Sequence, residues 1–138
     1  MPQPTTQRWT RTNLTNGRAY DPYQHAEELG IQVLFRPIRT ANEMWLPDHQ
    51  TIVIKDSMRA VHRRTACAHG IAHALYGHED DRPKHEVQAD RYAAERLIDP
   101  AELADIMLWA PDPARVALEL GVTGRLLRVY LNVHRLAS

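Results

Sequence analysis

The sequence predicts an α+β fold: an N-terminal helix, a small three-stranded sheet of antiparallel type, and a mostly helical C-terminal half. Three observations indicate this class. Helix-start and helix-stop residues bracket a short segment after residue 20, β-branched runs follow between residues 31 and 55, and apolar residues recur at helical spacing from residue 57 onward. With 138 residues, the chain is long enough to bury one domain core.

The first helix is expected to begin after Asp21, its N-cap, with Pro22 at the first helical position and Gly30 at its end. The run IQVLFRPI then predicts a strand, and the runs MWL and TIVIK predict a hairpin that turns at Pro47–His49. The polar residues 1–20 are interpreted as a loose arm, and residues 21–138 as a single domain.

The remaining elements are predicted as helices that end at glycines or at Asp-Pro steps. The first of them begins with Ser57 as its cap and stops at Gly77. The expected bounds of all five are residues 57–76, 84–98, 101–109, 111–120 and 123–136.

The composition narrows the class of partner and compartment. Seventeen Lys and Arg balance seventeen Asp and Glu, so no overall field attracts nucleic acid or an anionic membrane. The only cysteine, Cys67, has no internal disulfide partner, which favours a reducing compartment. The polar N-terminus lacks the apolar core of a signal peptide, and no apolar run is long enough for a membrane helix. We therefore expect a cytoplasmic protein.

Histidine is the unusual feature of the composition, with eight residues in the chain. Five fall in one short stretch: His62, His69, His73, His78 and His85. His69 and His73 are four residues apart in a predicted helix, so one face presents two imidazoles that can bind one zinc ion at about 2.0 Å. Taken alone, the pair also fits two ordinary helix histidines.

Glu86 lies in the next predicted helix, after a loop long enough to reverse the chain. Antiparallel packing would bring it opposite the two histidines and complete a His₂Glu set with one open position, which is typical of catalytic zinc. Alone, Glu86 also fits a solvated helix face. Asp90, one turn later, would either accept a hydrogen bond from a ligand imidazole or pair with an arginine. The arginines considered are Arg63, Arg64 and Arg91.

The segments CAHGIAHALYGH and HEVQADRYAAERLIDP resemble the ImmA/IrrE family of small zinc metallopeptidases, best known from prophages, mobile elements and a bacterial DNA-damage response. Members carry His-Glu-x-x-His on one helix and a longer pattern on the next. The residues that match the longer pattern are Glu86, Ala89, Asp90, Tyr92, Ala93, Ala94, Leu97, Ile98 and Pro100. The resemblance spans roughly residues 20–135.

This resemblance implies a zincin-like domain in which the helix of His69 and His73 is the metal helix and Glu86 is the third zinc ligand. It also implies that the substrate is a helix-turn-helix transcriptional repressor. A substrate peptide would lie along the hairpin as an added β-strand, with one carbonyl at the zinc.

Gly70 departs from the family pattern, which has a glutamate directly after the first histidine. That glutamate takes a proton from the bound water and passes it to the leaving amine, and such help contributes about 10²–10⁴-fold in rate. Glycine has no side chain for this step. We therefore expect lost or weakened peptidase activity.

Three explanations of Gly70 are open. The domain is a pseudo-protease that keeps zinc and binds a partner, or another group acts as the base, or the glycine was introduced to inactivate the protein. The alternative bases lie in the loop after the metal helix: His78, Glu79, Asp80 and Asp81. His78 is also considered as a fourth ligand.

These observations lead to three functional hypotheses. One is a zinc peptidase that acts on a transcriptional regulator, and the second is a non-catalytic module that binds such a regulator in phage or mobile-element control. The third is DNA binding through the last two helices, which carry Arg125, Arg128 and Arg135. The zero net charge argues against this third hypothesis.

Overall fold

The computed structural model describes residues 16–134 and confirms the α+β class. The elements are α1 (Pro22–Glu28), β1 (Gln32–Arg36), β2 (Glu43–Leu46), β3 (Thr51–Lys55), α2 (Ala60–Tyr76), α3 (Pro83–Leu97), α4 (Pro100–Met107), α5 (Pro113–Leu120) and α6 (Gly124–His134). Short 3₁₀ segments lie at Gly17–Ala19 and Pro47–His49. Within the described residues, no helix is both long enough and apolar enough to cross a bilayer.

Strand β3 is central in the sheet, with β1 on one side and β2 on the other. β2 pairs antiparallel with β3, from Glu43 opposite Ile54 to Leu46 opposite Thr51, as the predicted hairpin requires. β1 pairs with β3 in parallel, with Gln32 opposite Thr51, so the prediction of a wholly antiparallel sheet was wrong. The chain passes from β1 across to the far edge before it turns back through β3, which leaves β2 as an edge strand.

Helix α2 lies between the sheet and the C-terminal helices. Cys67 and Ile71 belong to the core cluster that contains Ile52 and Ile54 of β3. Ala68, on another face of α2, belongs to the larger cluster formed with the helices that follow it. Small residues on α2 allow this close packing on two sides, and the packing holds the intervening histidine face at a fixed distance from the sheet and from α3.

Most of the predicted helix signals act as expected. The Asp21 side chain accepts hydrogen bonds from the backbone N–H groups of Tyr23 and Gln24, and Gly77 ends α2 with a φ of 69°. The predicted cap at Ser57 was wrong, because α2 begins at Ala60 and Arg59 precedes it without a side-chain cap. Residues 57–59 instead form the turn that leaves β3.

Residues 1–15 of the predicted loose arm lie outside the described part of the chain. Its last residues are not loose, because Tyr20 is buried in the core. Arg64 donates hydrogen bonds to the backbone carbonyls of Gly17 and Tyr20 at 2.8 and 2.9 Å. Residues 17–20 are therefore held against α2 and the core.

Candidate metal centre

Four side chains from three elements converge to form what we call the ligand cluster: Glu43, His69, His73 and Glu86. One nitrogen or oxygen atom from each lies within 4.8 Å of the others. The two histidines project from one face of α2, Glu86 comes from the first turn of α3, and Glu43 comes from β2. Two imidazoles and two carboxylates form a donor set that can hold a divalent metal ion.

The carboxylate of Glu86 faces both imidazoles, as the predicted antiparallel packing of the two helices requires. Its Oε1 lies 3.0 Å from His69 Nε2, and its Oε2 lies 2.9 Å from His73 Nε2. The loop between α2 and α3 reverses the chain, so the start of α3 lies beside the end of α2. Three predicted ligands are therefore brought together with the same ring nitrogen of each histidine facing inward.

Asp90 orients the first histidine. Its Oδ1 lies 3.0 Å from His69 Nδ1, and its Oδ2 accepts a hydrogen bond from Arg125 at 2.6 Å. Burial alone would raise the pKa of Asp90, but hydrogen bonds from His69 and Arg125 lower that pKa to about 2. An ionised Asp90 accepts a hydrogen bond from His69 Nδ1–H, which directs Nε2 toward the ligand cluster. Burial alone would lower the pKa of His69, but the hydrogen bond to Asp90 and the negative charges around the ring raise it. The arginine partner is Arg125, not one of the three considered from the sequence.

His78 performs the corresponding task for the second histidine. It is buried, its Nδ1 lies 2.9 Å from His73 Nδ1, and its Nε2 lies 2.8 Å from Gln88 Oε1. The amide oxygen of Gln88 can only accept, so His78 Nε2–H donates to it, and Nδ1 of the neutral His78 ring accepts a hydrogen bond from His73 Nδ1–H. His73 Nε2 therefore carries a lone pair. His78 contacts the back of a ligand and is not part of the ligand cluster.

These contacts test whether a metal ion fits. In the state in which each ring is neutral and carries its proton on Nδ1, two Nε2 lone pairs point at the oxygens of Glu86, and like partial charges face each other across about 3 Å. A cation between them relieves this repulsion. Burial and the neighbouring charge of His69 lower the pKa of His73 to about 4, so a proton is a poor cation at that nitrogen. The donor set therefore suits a bound metal.

Glu43 is the member of the ligand cluster that the sequence interpretation missed. Its Oε1 lies 3.5 Å from His69 Nε2 and 3.8 Å from His73 Nε2. Burial raises its pKa to about 7, assisted by the negative charges of Glu86 and Asp90 and opposed by His69. The sequence did contain a signal for Glu43. Residues two apart on a strand lie on the same face, so Glu43 shares a face with the half-buried ring of Trp45.

Gly70 packs directly against the sheet. A Cβ atom built at Gly70 would lie 2.8 Å from Cγ2 of Ile52 and 3.0 Å from its Cδ1 and Cγ1. Ile52 is fully buried on the central strand, and its β-branched side chain has little freedom to move. Gly70 therefore has a packing role, which is to let α2 approach β3 closely.

The remaining base candidates from the loop lie elsewhere. Asp80 pairs with Arg82 and His85 at the surface, and Glu79 and Asp81 are exposed. None of the three belongs to the ligand cluster or lines the cleft beside it. The structure thus gives no support to a base from this loop.

A cleft of about 480 Å³ opens beside the ligand cluster. Its wall includes Glu43, His69, Glu86, Asp90 and Arg125, and it also contains apolar surface from Ala41 and Ala66. Arg125, which supported the DNA-binding hypothesis, points into this cleft region through its bond to Asp90. Arg128 lies on α6, and Arg135 is outside the described residues.

Comparison with protein families gives a match over most of the chain. The family model described as the IrrE N-terminal-like domain, a peptidase family, matches residues 26–125, well over half of the chain. The match runs from α1 into the start of α6 and includes every residue of the ligand cluster. No curated protein matches the chain by sequence.

Proposed function

Because the chain belongs to the family of IrrE N-terminal-like peptidase domains, we propose that it binds zinc through His69, His73 and Glu86 and accepts an extended peptide beside them. The observation that carries this proposal is the convergence of two Nε2 atoms on one carboxylate, with Asp90 and His78 contacting the Nδ1 atoms behind the two rings. Two histidines and a glutamate are a ligand set of catalytic zinc.

The chemistry that a bound zinc supplies is polarisation of a peptide carbonyl and a lowered pKa for water. The residues of the chain supply the rest. Asp90 and His78 fix which nitrogen of each imidazole faces the ion, and the packing of α2 fixes the distance between them. The cleft gives a substrate access from the side of Glu43 and Arg125.

The peptide is proposed to bind along β2. This strand forms an edge of the sheet, so its outer backbone groups face no other strand of the described sheet. An extended segment that adds to this edge would pass Glu43, and therefore the ligand cluster, in a manner typical of β-strand addition. We further propose that the segment belongs to a transcriptional regulator, and that Gly70 makes cleavage weaker than a helix-borne glutamate would allow.

The alternative of a non-catalytic binding module uses the same cleft and the same edge strand. The observation that favours it is Gly70, whose packing against Ile52 leaves no room for a side chain at the usual position of the base. The cytoplasmic location remains a prediction, supported by the free, buried thiol of Cys67.

Metal content tests the proposal first. Protein purified without a histidine tag is expected to contain about one zinc per chain by mass spectrometry, and a chelator is expected to lower its melting temperature. Incubation of the zinc-loaded protein with a peptide library then separates cleavage from binding. Protein that takes up no zinc, nickel, cobalt or iron would contradict both forms of the proposal.

Replacing His78 with phenylalanine is expected to weaken zinc binding by about 10–100-fold, the usual effect of losing a partner behind a ligand. The ring still stacks on His85, whose centroid lies 3.9 Å away, but no acceptor faces His73 Nδ1. A chelator competition titration measures the change. His85→Phe alters the other ring of the same stack and is the matched control. Equal losses in both variants would attribute the effect to stacking.

A further inference from the structure

Glu43 reaches the ligand cluster from the sheet, whereas the other three members come from α2 and α3. Its Oε1 lies 3.5 and 3.8 Å from the two Nε2 atoms, while the oxygens of Glu86 lie 3.0 and 2.9 Å from them. The carboxylate of Glu43 is therefore farther from the two Nε2 atoms than the carboxylate of Glu86 is. Donor atoms around a tetrahedral zinc lie about 3.3 Å apart, so Glu43 Oε1 lies just beyond the distance of a direct ligand, and the zinc affinity of a Glu43 variant distinguishes a ligand from a neighbouring carboxylate.

The second oxygen of Glu43 is buried and has no hydrogen-bond partner among the described residues. A buried carboxylate oxygen without a donor is costly, and a structure retains one where a ligand or water supplies the donor. Glu43 also lines the open cleft, so a donor can reach its carboxylate. The candidates are therefore a water molecule and the peptide itself.

Gly70 leaves the helix without a base, and its contact with Ile52 shows that a side chain cannot simply be added there. We propose that Glu43 supplies, from strand β2, the acid–base carboxylate that Gly70 lacks on helix α2. This inference rests on the zinc site proposed above. It assigns catalysis to a residue that lies 27 positions earlier in the chain than the usual one.

The reaction is peptide hydrolysis, with water as co-reactant. As the water oxygen bonds to the peptide carbonyl carbon, one of its protons passes to the Glu43 carboxylate. When the carbon–nitrogen bond breaks, Glu43 returns that proton to the leaving amine, and the products are a carboxylic acid and an amine. A peptide added to the edge strand β2 would run past Glu43, and the reaction requires its scissile bond to lie within reach of that carboxylate.

The test compares Glu43→Gln with the parent protein, both loaded with zinc. Glutamine keeps the size of the side chain but cannot accept the proton. We expect zinc affinity to change by less than about tenfold, below the loss that follows removal of a ligand. Affinity for N-acetyl-leucine hydroxamate, which binds zinc and donates a hydrogen bond to the neighbouring carboxylate, is expected to fall about 10–100-fold by calorimetry. Cleavage of peptides that the parent cuts is expected to fall about 10²–10⁴-fold.

Glu43→Asp keeps the charge and should recover part of the hydroxamate affinity, and it also serves if the glutamine variant folds poorly. Asp48→Asn, an exposed carboxyl-to-amide change on the turn after β2, is the matched control and should leave both affinities unchanged. Loss of zinc from Glu43→Gln would make Glu43 a fourth ligand and overturn the inference. Equal hydroxamate affinity in the parent and Glu43→Gln would also overturn it. A parent protein that holds no zinc would instead refute the proposed function.

Discussion

Replacing His73 with alanine is expected to weaken zinc binding by more than about 100-fold, beyond the range expected for partners that only support a ligand. The substitution removes one of the two Nε2 atoms that face Glu86, so the His₂Glu ligand set is no longer complete. Added zinc should stabilise the parent by about 2.7 kcal/mol at 100 times the parent's dissociation constant, and at the same concentration it should stabilise the variant by less than about 0.4 kcal/mol. Thermal unfolding with and without zinc measures the difference.

A histidine elsewhere in the chain provides the control. His49 is exposed on the 3₁₀ segment between β2 and β3, so His49→Ala removes an imidazole without touching the ligand cluster. Its response to zinc should equal that of the parent. Because His73 is buried, the unfolding of the zinc-free His73→Ala variant must be measured too. An undiminished zinc response in folded His73→Ala would remove this histidine from the site.

Gly70→Ala is expected to lower the free energy of unfolding by about 1–3 kcal/mol, the usual cost of adding a methyl group to a packed core. Helix propensity alone predicts the opposite sign, since alanine is favoured over glycine by up to about 1 kcal/mol. We expect the steric cost to exceed the gain in helix propensity, because the new Cβ would lie 2.8 Å from Cγ2 of Ile52. Gly70→Glu carries the same Cβ and is not expected to rebuild an active site by itself. Denaturant unfolding checks the sign.

A double-mutant cycle identifies the cause. Ile52→Ala removes all three atoms that the new Cβ would meet, at a cost of about 2–5 kcal/mol for the cavity. In that background, Gly70→Ala should cost little or become favourable, which gives a coupling of about 1–3 kcal/mol. Gly124→Ala is the control, because its Cβ would lie 3.9 Å from Arg128 Nη1, an ordinary contact. Additive effects of Ile52→Ala and Gly70→Ala would exclude steric conflict between the two positions.

Local signals explain which parts of the site were predictable. The spacing of His69 and His73 depends only on the 3.6-residue period of a helix, and the structure places both on the predicted face. Gly77 ends α2 as expected because its left-handed φ favours glycine. Glu86 needed one further step, which was that a loop of this length lets the next helix fold back.

The contribution of Glu43 could not be derived from such signals. Its contact with the two histidines depends on β2 lying at the sheet edge beside α2, and that follows from the crossover that makes β1 parallel to β3. The sequence interpretation expected a wholly antiparallel sheet, in which the edge next to the metal helix is not specified. Gln88 and Arg125 were missed because their partners lie on other elements, His78 in the loop after α2 and Asp90 on α3.

Gly70 shows most clearly the difference between what local sequence signals determine and what tertiary contacts determine. By itself, the sequence determined that two histidines share one face of a helix, that Glu86 follows on the next helix, and that no carboxylate stands at position 70. Only the tertiary structure decided that Ile52 fills the space above that glycine and that Glu43 reaches the same ligand cluster from the sheet. The physical reason is range: helix period and caps are set within a few residues, whereas packing and strand order join residues far apart in the chain.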